Sequence, residues 1–188
     1  FLKSKLNFPN PQFHELERRG YSTWNTPQFL NNIEKVENGI LIPMGFLSEI
    51  QSFAKEHTLT VLIDDQRRSH KPVSFSTRLV LRPEQQAIAK KLLLVDRVIL
   101  EAHPAFGKTM VALYCMKRRR QPTLIIVHTR ALLQQWKKRI EDWFTLRKGD
   151  LGIIGENKWQ PGKTVTIASY QTIARRGTED IKDAFGFI

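Results

Sequence analysis

Gly107, Lys108 and Thr109 stand between an apolar run, Val98-Ile99-Leu100, and a segment of helical composition, Met110-Val111-Ala112-Leu113-Tyr114. A lysine and a hydroxyl at such a junction suit polyphosphate chemistry. Backbone N–H groups at a helix N-terminus donate to phosphate oxygens, the lysine ammonium reaches the β- and γ-phosphates, and the threonine hydroxyl ligates Mg²⁺. The loop from Ala102 to Thr109 is therefore read as a nucleoside triphosphate site. His103, Pro104, Ala105, Phe106, Gly107, Lys108, Thr109 and Met110 are its contact residues; Lys108 and Thr109 act on the phosphates, and Thr109 holds the Mg²⁺.

Two positions depart from the general G-x-x-x-x-G-K-[ST] pattern. Ala102 replaces its first glycine, and Ala105 occupies a position where glycine is common. If position 105 needs a positive φ, alanine there is strained by ~1 kcal/mol or more. The competing explanation is a Gly-Lys-Thr in an ordinary strand-to-helix turn, and the chain supplies such a decoy. Gly162-Lys163-Thr164 precedes the strand-like Val165-Thr166-Ile167-Ala168 instead of a helix, so it is read as a loop.

These residues need a scaffold, and the apolar pattern indicates one. From Arg82 onward, helices expected over 83–94, 108–117 and 130–144 alternate with strands expected over 98–102, 123–128, 151–154 and 165–169. Strands that are apolar throughout and separated by helices predict an α/β fold, a parallel sheet with helices on both faces and ligands beyond the C-terminal strand ends. Upstream, helical stretches are expected near 12–19 and 27–36, the second opened by Thr26 and Pro27. A β-α-β unit is expected over 39–64, with strands at 40–43 and 60–63. The charged stretch 64–72 reads as a linker. The chain is thus divided into a small α+β accessory domain over 1–72 and a larger domain over 73–188.

The net charge of +12 is unevenly placed. Residues 1–80 carry 10 Lys/Arg against 8 Asp/Glu, and residues 81–188 carry 20 against 10. A basic excess around a phosphate loop fits a nucleic-acid partner, though a solvated basic face would look the same. No apolar run is long enough to span a bilayer and no secretory signal opens the chain, so no membrane partner and an intracellular location are expected. The single cysteine, Cys115, excludes an internal disulfide and reads as a buried apolar residue. Trp136 and Trp143, at heptad spacing on one expected helix, read as core.

Three further segments add a resemblance. Leu81-Arg82-Pro83-Glu84-Gln85 resembles the L-R-P-x-Q stretch that precedes the phosphate loop in superfamily 2 helicases of the XPB-like and type III restriction-motor branch. Ile125 to Trp136 is similar to that branch's motif Ia, with His128 where proline is usual. Val165 to Ile173 resembles its later strand ending in T-Y-Q-T. The likeness covers residues 81–188 and implies the first RecA-like lobe of a P-loop motor, with ATP and Mg²⁺ as cofactors. It places Arg82 and Gln85 at the adenine and accepts Ala102 as the branch's habitual residue. Thr129, Arg130, Ser169, Tyr170 and Gln171 would bind a strand backbone, of DNA more readily than RNA.

The resemblance also implies a D-E-x-H acidic box and a second lobe supplying an arginine. With Phe1 in place of methionine and the apolar Phe185-Gly186-Phe187-Ile188 resembling the strand before the box, the chain is expected to be a piece of a longer protein. Alone, it is expected to bind nucleotide without turning it over. The implied whole is an ATP-dependent helicase or double-strand translocase. Its rivals are the motor subunit of a restriction or defence complex and a non-catalytic nucleic-acid-binding module. A small-molecule kinase would need acceptor and lid elements where this chain has Thr129-Arg130-Ala131-Leu132-Leu133-Gln134-Gln135-Trp136.

Overall fold

The computed structural model describes residues 1–65 and 70–188, so residues 66–69 of the expected linker lie outside the described residues. The chain forms two units, Phe1–Asp64 and Asp65–Ile188.

The first unit holds α1 (Leu2–Leu6), β1 (Asn7–Pro9), α2 (Pro11–Arg18), β2 (Phe29–Asn31), β3 (Glu34–Val36), β4 (Gly39–Leu41) and α3 (Leu47–Glu56). Asn10 caps α2 by accepting from the Gln12 N–H at 3.0 Å, with Pro11 in the first helical turn, where its missing N–H is harmless.

Two expectations fail in this unit. The stretch 27–36 is not a helix: β2 pairs antiparallel with β1, and β3 turns back onto β4 through Glu37-Asn38. Local polar groups decide this. The Asn10 side-chain amide donates to the Pro27 carbonyl at 2.8 Å, and the Asn31 side chain accepts from the Ile33 N–H at 3.2 Å, which favours turns over helix. Thr60–Ile63 is not a strand either. Leu62 is 93% exposed, and a strand exists only where a neighbour takes its hydrogen bonds. The β-α-β expected over 39–64 is therefore a hairpin followed by a helix.

The second unit contains β5 (Ser76–Thr77), α4 (Pro83–Leu93), α5 (Lys108–Arg119), β6 (Thr123–Val127), α6 (Arg130–Trp143), β7 (Phe144–Thr145), β8 (Leu151–Gly155), β9 (Lys158–Gln160), β10 (Val165–Ser169) and α7 (Tyr170–Arg176). Its main sheet has the order β6-β10-β8-β9. The first three strands are parallel, and β9 folds back antiparallel on β8. A short antiparallel pair, β5 with β7, lies apart from it.

Alternation along the central strand assigns the two faces. Val165 and Ile167 join Val127, Leu113, Met116, Leu133 and Ile140, so α5 and α6 cover one face. Ala168 joins Leu124, Ile154 and Ile181, with Ile173 of α7 packed against them on the other. Val165, Thr166, Ile167 and Ala168 are fully buried, which explains the continuous apolar run of a strand covered on both sides. The one polar residue among them is satisfied, the Thr166 Oγ1 accepting from the Gly162 N–H at 2.9 Å. Trp136 and Trp143 pack half-buried on the first face, as core residues do.

The expected α/β parallel sheet with helices on both faces is thus present, with one exception. Val98–Ala102 belongs to no strand. Leu100 and Ala102 pack beside Leu81, Ala89, Phe106 and Val111, while Ile99 is 93% exposed, so the segment is anchored by alternate side chains and lacks a ladder. Beyond β6, Phe187 forms a parallel bridge to Thr123, its carbonyl accepting from the Leu124 N–H at 2.9 Å. None of the described helices is long and apolar enough to cross a membrane.

Candidate functional site

The loop from Ala102 to Thr109 runs into the N-terminus of α5, and its path is set by two left-handed residues, Ala105 at φ +63° and Gly107 at φ +91°. Position 105 does require positive φ, and alanine holds it. At Gly107 the space is closed as well: a Cβ there would lie 2.5 Å from the Gln85 side-chain nitrogen. The phosphate-side cradle is one that a side chain would fill. Between the two, Phe106 turns inward among Leu81, Ala89, Val111 and Cys115, anchoring the loop to α4 and α5.

Arg82 and Gln85 act on this loop directly. The Gln85 amide nitrogen and an Arg82 Nη each donate to the Phe106 carbonyl at 2.8 Å, and the Gln85 side-chain oxygen accepts from the Arg82 N–H at 3.0 Å. The last contact is half of a capping arrangement on α4. Gln85 is buried, whereas the Arg82 side chain is half exposed and pairs with Glu84 at 2.9 Å. Lys108 is exposed, and its ammonium donates to the carbonyls of Ala102 at 2.5 Å and His103 at 3.2 Å, which keeps it over the mouth of the loop. His103 stands edge-on to Phe106, with Nδ1 2.7 Å from the Pro104 carbonyl. Thr109 and Met110 follow, partly buried, in the first turn of α5.

The other predicted residues gather at the C-terminal ends of the parallel strands. Thr129 follows β6 and caps α6, its hydroxyl accepting from the Leu132 N–H at 3.2 Å. Ser169 ends β10 and donates to the Gln171 side-chain oxygen at 2.9 Å, while the Gln171 amide donates to the His128 carbonyl at 2.7 Å. These bonds tie the two strand ends together. Tyr170, beside them, is 61% exposed.

Arg130 opens α6 and pairs with Glu156, a residue the sequence reading left out, at 2.6 Å; Gln134 donates to both oxygens of the same carboxylate at 3.0 and 2.9 Å. The Gln134 hydrogen bond, helped by Arg130 and Lys158, holds the Glu156 carboxyl below the usual carboxylate range, so it is ionised at neutral pH. The missed signal was Gly155-Glu156-Asn157-Lys158. Residues 156 and 157 are both left-handed, at φ +51° and +63°, and form the two-residue turn that adds β9. The decoy at Gly162-Lys163-Thr164 is a loop; a Cβ on Gly162 would fall 2.3 Å from the Val165 carbonyl oxygen. Among the described residues no group of three or more His, Cys, Asp or Glu is placed to hold a metal.

A model of the family described as "Type III restriction enzyme, res subunit" matches residues 78–188, well over half of the chain. The chain belongs to this family. The match covers the phosphate loop and the strand-end cluster together, and it bears out the superfamily 2 resemblance. Over 102 residues the chain is 33% identical to the DNA 3'-5' translocase XPB2 of Sulfurisphaera tokodaii, covering 54% of this chain and 22% of that protein. Over 93 residues it is 27% identical to the "Probable helicase D10" of Escherichia phage T5, covering 50% of this chain and 20% of that one. The chain spans about a fifth of the length of these relatives. The UvsW helicase of bacteriophage T4 shares the fold, with a TM-score of 0.65 at 17% identity over 97% of this chain and 71% of that chain. In this family member the loop presents Gly107, Lys108 and Thr109, and the strand ends present Thr129, Arg130, Ser169, Tyr170 and Gln171, with Glu156 and Gln134 beside Arg130.

Proposed function

We propose that the chain is the nucleotide-binding part of the first lobe of an ATP-dependent DNA helicase or translocase, working inside the cell beside a second lobe. The observation that carries this reading is one loop in which Gly107 is left-handed with the Gln85 side chain against it and Lys108 is held over the helix N-terminus by carbonyl oxygens. Phosphate oxygens can take the place of those carbonyls. ATP with Mg²⁺ would supply the phosphoryl chemistry, and the cradle fits a polyphosphate for these reasons.

In that role Lys108 neutralises charge at the β/γ end, Thr109 presents its hydroxyl to the metal, and the N–H groups of Gly107, Lys108 and Thr109 line the phosphates. His103, Pro104 and Phe106 shape the mouth. Arg82, half exposed, would face the adenine, whereas Gln85, expected to share that role, is buried with both ends of its amide bonded to Phe106 and Arg82 and braces the loop instead. Thr129, Arg130, Ser169, Tyr170 and Gln171 bind one strand of DNA through its phosphates, which positions without reading sequence. The names of the XPB2 and D10 relatives support DNA and a motor. The description of the family supports a second reading, the translocating subunit of a restriction complex, with the same site in a different assembly.

The test is binding of Mg²⁺-ATP analogue and of DNA by wild-type chain, Lys108→Ala and Arg130→Ala. Lys108→Ala is expected to lose nucleotide binding by tenfold or more while keeping DNA affinity, and Arg130→Ala to weaken DNA binding by a few-fold and flatten its salt dependence while keeping nucleotide affinity. Unchanged nucleotide affinity in Lys108→Ala refutes the loop assignment.

A further inference from the structure

Glu156 puts a carboxylate into the row of residues proposed to hold DNA phosphates. We infer that Glu156 is an internal competitor for the backbone phosphate, occupying Arg130 and Gln134 until a strand displaces it and so setting how tightly this lobe grips nucleic acid. The inference rests on the nucleic-acid reading of Arg130 given above.

The geometry supports competition. The carboxylate comes from the end of β8, and Arg130 and Gln134 from the first turns of α6. Strand β10 lies between β8 and β6, and a Cβ on Gly155 would sit 3.2 Å from the Ser169 Cβ, so the bridge passes beside Ser169. A carboxylate and a phosphodiester present the same chemistry to a guanidinium and an amide, two anionic oxygens that accept N–H bonds. Arg130 cannot give the same edge to both.

The turn argues that the side chain is kept for its contacts. Glu156 holds the first left-handed position of a two-residue hairpin turn, at φ +51°, where Gly, Asn and Asp are the favoured residues. Local conformation gives glutamate no advantage there. The arginine is also free to exchange, because its side chain is 82% exposed while the Glu156 carboxylate, 19% exposed, stays held by Gln134. A phosphate can therefore take the arginine, and the carboxylate can retake it when the strand leaves.

The experiment measures affinity of the full chain for a fluorescent single-stranded oligonucleotide by anisotropy, over a series of salt concentrations. The variants are Glu156→Gln, Arg130→Ala, the double variant, and Glu179→Gln as a control that removes an exposed charge elsewhere. Glu156→Gln is expected to tighten binding roughly two- to fivefold. Its plot of log K against log salt should steepen by about 0.7, as one more cation is freed to neutralise phosphate. In the Arg130→Ala background, Glu156→Gln should do no more than Glu179→Gln does in the wild type. An effect of Glu156→Gln that matches the control, a weakening, or a gain that persists undiminished without Arg130 overturns the competitor role and leaves the nucleic-acid reading standing. If Arg130→Ala itself leaves affinity and slope unchanged, the reading and the inference fall together.

Discussion

Replacing Gly107 by alanine should strike the nucleotide loop through two separable effects. The first is conformational: at φ +91° a Cβ meets its own backbone, a penalty of about 1–2 kcal/mol for an L-residue in left-handed space. The second is a contact, because the new Cβ would lie 2.5 Å from the Gln85 side-chain nitrogen. That nitrogen is the end of a flexible side chain and would ordinarily move aside. Here Gln85 is buried and bonded to the Phe106 carbonyl and the Arg82 N–H, so moving it forfeits about 0.5–1.5 kcal/mol per hydrogen bond. With one of those bonds lost, these give a loss of about 1.5–3.5 kcal/mol, measurable by urea denaturation as a lowered midpoint at unchanged slope. Gln85→Ala removes the atom that the new methyl meets. The double variant should therefore be less destabilised than the sum of the singles by about 0.5–1.5 kcal/mol. Strict additivity, or a loss under about 1 kcal/mol for Gly107→Ala alone, would refute the claim that Gln85 and Gly107 share one space.

Ala105→Gly acts in the opposite direction. It relieves a left-handed alanine by about 1–2 kcal/mol and loosens the unfolded chain by about 0.5–1 kcal/mol, so denaturation should show a gain between zero and about 1.5 kcal/mol. A loss of more than about 0.5 kcal/mol would argue against the left-handed path. Cys115 is buried on α5, and burial pushes its thiol up from the ordinary range, the opposing pull of Arg119 being smaller. Modification by a soluble thiol reagent at pH 8 should be slow in the folded chain and reach the free-thiol rate in denaturant; fast labelling of folded protein would contradict that burial.

What the sequence disclosed follows the range of the forces involved. Val165 to Ala168 could be read as a doubly covered strand because burial on both faces leaves an uninterrupted apolar run. The turn into α5 was legible because Gly107 stands directly before a run of helical composition, and a left-handed glycine opens the helix there. Pro27–Val36 was misread because its apolar residues suit either period, and the decision came from the side chains of Asn10 and Asn31. Val98–Ala102 has strand composition, yet composition cannot supply the neighbouring strand that a ladder requires. Glu156 was invisible for a related reason: 26 residues separate it from Arg130, and only the sheet order that places β10 between β8 and β6 brings them together.

The two halves of the site share a design with consequences for affinity. In both, the cation that would meet phosphate already has an oxygen partner within the chain, Lys108 in two loop carbonyls and Arg130 in the Glu156 carboxylate. In the proposed roles either ligand would bind by exchange, its affinity being the difference between two sets of charge-assisted bonds. The partners differ in kind. Carbonyls carry no net charge, so exchange at Lys108 adds a full ion pair, whereas exchange at Arg130 trades one ion pair for another and releases a carboxylate beside a phosphate. The same count of contacts should thus yield tight hold on nucleotide and weak hold on a strand at each Arg130-type contact. In the motor role proposed above, where nucleotide is kept through a step and the strand slides between steps, that asymmetry would have the useful sign. It also predicts where the sign reverses, since neutralising Glu156 should favour strand affinity without touching the Lys108 loop.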